Sequence, residues 1–137
     1  MSNHFKDDTE ITALVRAFET CEIHPAEFKH YQHLAVSLWF VKEFPYDDAV
    51  ARMRAGIQKL AAAYGKTGYH ETITLFWLAM VQNFVAAASP ESSLHVLANE
   101  LAEKFADKNF ILNYYSDTVL GSAEAKTSWV APDLKSL

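Results

Sequence analysis

Glycine and proline interrupt this chain at only a few points, and between those points apolar residues recur every three or four positions. Four glycines and four prolines fall almost wholly between such stretches, while strand-like alternation is scarce. That pattern predicts consecutive helices, because a spacing of three and four puts apolar side chains on one helical face. A first helix is expected over about 8–21, with Ile11, Leu14, Val15 and Phe18 facing inward. A second should start in "HPAEF", with Pro25 in its first turn, and run to about Phe44. A third carries Val50, Met53, Ile57, Leu60 and Tyr64 and stops at Gly65. A fourth covers about 68–88, and a fifth, restarted by Ser89 and Pro90, uses Leu94, Leu97, Leu101 and Phe105. The expectation is a single-domain all-α bundle of about five main helices over residues 1–137. It closes with a short helical, partly extended C-terminal segment, anchored by Trp129.

Half of the residues are apolar and 13% are aromatic, enough for a core of its own. The formal charge of -5 comes from acids spread along the chain, and no Lys/Arg cluster interleaves with aromatics, so a nucleic-acid partner is not expected. The apolar runs "LAVSLWFV" and "FVAAA" are too short to span a bilayer, and the polar, acidic start does not read as a signal peptide. The expected setting is soluble and cytoplasmic, with the oligomeric state open. A single cysteine, Cys21, excludes an internal disulfide and any Cys-based zinc cluster.

Short connections make neighbouring helices antiparallel, so the second and fourth begin at the same end and their first turns, "EFKHYQH" and "GYHE", share one rim. At about 100° per residue, His30, His33, Leu34 and Ser37 group opposite a wet face of Lys29, Gln32, Lys42 and Glu43. His70 aligns with Ile73, Trp77 and Val81, whereas Glu71 turns away. His95, at the start of the fifth helix, belongs to the opposite end.

Three inward imidazoles, two of them with Cβ atoms about 5–6 Å apart, can share a divalent transition metal such as zinc, iron or nickel. They can equally form an acid-base or hydrogen-bonding pocket for a small molecule, or be core residues satisfied by the backbone. Glu71 and Glu27 are the candidate bases or supporting carboxylates, each with an alternative as a first-turn acid. Tyr115 is a further catalytic candidate that can also simply pack. The His-Glu-x-x-His zincin motif, the deaminase Cys pair, Gly-rich phosphate loops and a nucleophile elbow are all absent. The function classes left are an enzyme acting on a small molecule, a non-catalytic metal- or metabolite-binding module, and a structural or interaction domain.

The motifs "His30-Tyr31-Gln32-His33-Leu34" and Gly68 to Thr74, "GYHETIT", with "RAGIQ", "ADKN", "YYS" and the closing "WVAPDL", resemble a family of small uncharacterised bacterial proteins over about 20–137. The resemblance implies that the two histidine motifs and the Tyr-Tyr-Ser segment form the working end. It carries no activity. Members of that family often have a basic residue after Tyr-Ser, where this chain has Asp117.

Overall fold

The computed structural model describes residues 3–137, and these form helices and connecting turns with no strand. Five main helices follow in order: α1 (Asp8–Glu19), α2 (His30–Glu43), α3 (Tyr46–Ala63), α4 (Glu71–Ala87) and α5 (Leu94–Lys104). A 3-10 turn at Pro25–Glu27 precedes α2, and a second at Lys108–Asn113 leads to the short helices α6 (Asp117–Leu120) and α7 (Ala123–Thr127). No described helix is long and apolar enough to cross a membrane.

α2 is the axis of the bundle and packs against α1, α3, α4 and α5. Its expected wet face exists only at the two ends. Leu34, Ala35, Val36, Ser37 and Leu38 are all buried, because helices cover the middle of α2 on every side. A helix apolar all round is what such a position requires.

Two turns were drawn too simply by periodicity. The second helix does not start in "HPAEF": the 3-10 turn ends at Phe28, Lys29 is extended, and α2 begins only at His30. Phe28 is buried against Phe18 and His33, so core packing overrides helical continuity there. The fifth helix begins at Leu94 after Ser93, and Ser89 caps only a local turn through its contact with the Glu91 N–H.

Helices α1 and α3 end alike, side by side. In each, the residue after the cap is left-handed, Cys21 at φ 60° and Gly65 at φ 65°. The next N–H reaches back five residues in each helix, Glu22 to Ala17 and Lys66 to Ala61, both at 2.8 Å. This is the Schellman closure, which normally calls for glycine, as in α3. The Tyr64 hydroxyl ties the two ends together by donating to the Cys21 carbonyl at 2.9 Å.

α3 packs tightly on α1 at Gly56, where an added Cβ would lie 2.5 Å from the buried Phe18 ring. Gly56→Ala should therefore destabilise the protein by about 1–3 kcal/mol despite alanine's helical propensity advantage of about 1 kcal/mol. Denaturant unfolding measures this, and an unchanged or raised midpoint would mean that the α1–α3 contact is looser than described.

Candidate functional site

The start of α4 explains why "GYHETIT" carries so many polar groups. His70 caps the helix: its Nδ1 accepts the Ile73 N–H at 3.1 Å, while Nε2–H donates to the Leu120 carbonyl on α6 at 2.6 Å. These two bonds fix the neutral tautomer of His70 and occupy both ring nitrogens. Glu71 faces the other way and accepts from Arg54 of α3 through Nε and Nη2, and from the Tyr69 hydroxyl. The Arg54 guanidinium, followed by the Tyr69 hydroxyl, holds the Glu71 carboxyl below its ordinary range, against a smaller opposing effect of burial. Thr72 is fully buried; its hydroxyl donates to the Ser128 carbonyl at 2.8 Å and accepts the Val130 N–H at 3.1 Å. Within three residues the motif therefore binds α3, α6 and the C-terminal tail to one helix start.

His30, His33 and His70 all line one cavity of about 770 Å³ between the first turns of α2 and α4, closed by the second 3-10 turn and α6. The shared rim expected from parallel helix starts is present. His30 donates from Nε2 to the Phe105 carbonyl at 2.9 Å and meets Trp77 edge-on, ring centroids 4.8 Å apart. Burial lowers its pKa, with the Phe105 carbonyl acting in the opposite direction. His33 stacks on Phe28 at 3.8 Å, and burial, reinforced by His30, lowers it to about 4. Both rings are therefore neutral near pH 7. Ser37, one turn beyond His33 and 5% exposed, also lines the cavity, yet its hydroxyl has no hydrogen-bond partner among the described residues. A buried hydroxyl without a partner is costly, on the order of 1–3 kcal/mol, and this one borders open space.

The other candidates lie elsewhere. Glu27 is exposed in the 3-10 turn and is outside the cavity lining; because that turn is not continuous with α2, Glu27 and His30 do not form a helical Glu-x-x-His pair. Glu71 and Tyr115 are also outside the lining. Tyr115 is fully buried, its hydroxyl donates to the Val130 carbonyl at 2.6 Å, and burial, followed by Asp133, pushes its pKa up to about 12. The tail is thus held by Thr72 and Tyr115, with Leu134 N–H bonded to the Tyr114 carbonyl, while the expected anchor Trp129 is 42% exposed. His95 pairs with Asp8 and lines a separate hollow with Phe5 and Asn99, away from the three histidines. Cavity residues not singled out for a role from the sequence are Ser37, Lys29, Lys108 and Asp117. Periodicity placed Ser37 on the inner face of α2, but only burial on all sides reveals its unmet hydroxyl. Among the described residues, no three His, Cys, Asp or Glu side chains stand close enough to hold one metal ion.

His70→Ala removes a cap and leaves the Leu120 carbonyl without its donor, so a loss of about 2 kcal/mol in unfolding free energy is expected. His95→Ala, in a partly exposed surface pair, should cost less than about 1 kcal/mol. Equal losses in chemical denaturation would contradict the assigned bonding. His33 makes a pH prediction. Between about pH 6.5 and about 4 the unfolded chain binds a proton that the native ring refuses, so the stability present above pH 6.5 should fall as pH drops, by up to about 3 kcal/mol in all. In His33→Gln this part of the pH–stability curve should flatten, and a curve of unchanged slope would show that His33 protonates freely in the fold.

In comparisons with known proteins, no family model matches the chain, and no curated protein or solved structure matches it at a significant level.

Proposed function

We propose that this protein is a small-molecule binding module whose site is the cavity between the starts of α2 and α4. The observation that carries this reading is Ser37, a buried hydroxyl without a protein partner facing a cavity of about 770 Å³, within the size range of ordinary ligand sites. The walls fit the same reading. Ile73, Trp77 and Leu78 supply apolar surface, and neutral His30 and His33 offer hydrogen bonds at fixed positions. The two motifs that carry the family resemblance contribute two of the walls.

Binding is favoured over catalysis by the state of the titratable groups. A general base works best with a pKa near the operating pH, and His33 at about 4 is far below it. Glu71 is committed to Arg54 and Tyr69, and neither Glu27 nor Tyr115 lines the cavity. A zinc, iron or nickel ion shared by His30, His33 and His70 would have to displace one of the two bonds that fix His70.

Ligand-observed NMR screening with a fragment library should yield ligands that shift the Trp77 indole resonance. Ser37→Leu, which fills the cavity floor, should abolish their binding while His95→Ala leaves it intact. Element-resolved analysis of untagged protein purified without chelator should give well under one metal ion per chain. Stoichiometric metal whose affinity falls steeply toward acid pH, as expected if several imidazoles must lose protons, would replace this reading with the three-histidine metal site.

A further inference from the structure

We propose that the ligand of this cavity is a compact organic carboxylate, with its acid group held by Lys29 and Lys108 and a hydrogen-bonding group at its far end against Ser37. The proposal rests on the binding reading above and specifies the ligand's chemical class.

Charge is the first argument. The chain carries a net charge of -5, yet two ammoniums line this one cavity. Lys29 and Lys108 are both exposed, and among the described residues neither side chain takes part in an ion pair. The remaining charged group of the lining is Asp117. Asp107 lies outside the lining with its carboxylate accepting the Asn109 N–H at 2.9 Å, and its charge still reaches His30. Within the lining itself two ammoniums stand against one carboxylate. No arginine and no glycine-rich run of N–H groups lines the site, so the fork or nest that usually holds a phosphate is missing.

Ser37 is the second argument, and it is independent of charge. It lies eight residues beyond Lys29, the residue that precedes α2, which separates the two backbones by about 12 Å at about 1.5 Å per residue. A ligand that satisfies both ends therefore carries its anion and its hydrogen-bonding group on opposite sides of an apolar body. Trp77, Leu78, Met53 and Ile57 provide the matching apolar walls.

Three pairs of probes test this: 4-hydroxyphenylacetate, 3-(4-hydroxyphenyl)propanoate and 8-hydroxyoctanoate, each beside its neutral amide. Affinities are read from the Trp77 indole resonance in the full-length protein. At least one acid should bind about tenfold or more tightly than its amide. Lys29→Gln/Lys108→Gln, two exposed positions whose replacement should leave the fold intact by circular dichroism, should erase that preference, so that each acid binds about as its amide does. Amides that bind as tightly as the acids would overturn the carboxylate proposal and leave the cavity as a site for neutral ligands. A preference that survives in the double variant would also overturn it. If no acid or amide binds in any pair, both the carboxylate proposal and the binding reading fail.

Discussion

The imidazole of His70 is the joint on which the lower half of the bundle depends. One nitrogen completes the first turn of α4 and the other holds the Leu120 carbonyl of α6, so a single neutral ring sets both the start of a main helix and the position of a cavity wall. Of the two, only the cap needs the neutral ring: an imidazolium has no lone pair for the Ile73 N–H, whereas its Nε2–H still donates to the Leu120 carbonyl. The ion pair of Glu71 with Arg54 and the bonds of Thr72 to the tail then fix α3 and the C-terminal segment to the same turn. The histidine and glutamate that stand adjacent in the sequence thus act on opposite sides of the helix start, one toward the cavity and one toward α3.

Around that joint the interior is divided between satisfied and unsatisfied polar groups. Thr72 and Tyr115 are buried with their hydroxyls fully engaged, and each serves to anchor the tail. Ser37 is equally buried and engaged with nothing in the described structure. Such groups usually find partners in a folded protein, so Ser37 stands apart from the other two hydroxyls. The histidines follow the same division. His70 has both nitrogens committed, His30 has one held by the Phe105 carbonyl, and His33 is pressed between Phe28 and the cavity.

Helical periodicity was enough to read the five main helices, the stop at Gly65 and the inner faces of α2 and α4, because those depend on local spacing. Antiparallel connection was enough to bring His30, His33 and His70 to one end. What escaped depends on contacts far apart in sequence. Nothing near Phe28 announces that it packs on Phe18 and breaks the helix before His30, and nothing near Trp129 shows that Thr72, far upstream, is the residue that holds the tail. The left-handed Cys21 was hidden for a different reason: a helix end of that form usually advertises itself with glycine, and here only α3 does so. That Lys29 and Lys108 line the same cavity was not legible, because one precedes α2 and the other starts the turn after α5.

The tail's attachment to Thr72 also orders assembly in time. Helices and their caps close over a few residues, whereas the bonds that carry α6 and the tail to the start of α4 join positions 50 to 58 apart in the chain. Closing such loops spends chain entropy before the contacts return it, so those closures follow helix formation. The wall that brings Asp117 and Leu120 to the histidines therefore forms after the helices themselves. The imidazoles are seated by the same kind of closure, His30 by a bond to Phe105, 75 positions away, and His70 by its bond to Leu120, so the cavity and its histidines take shape together.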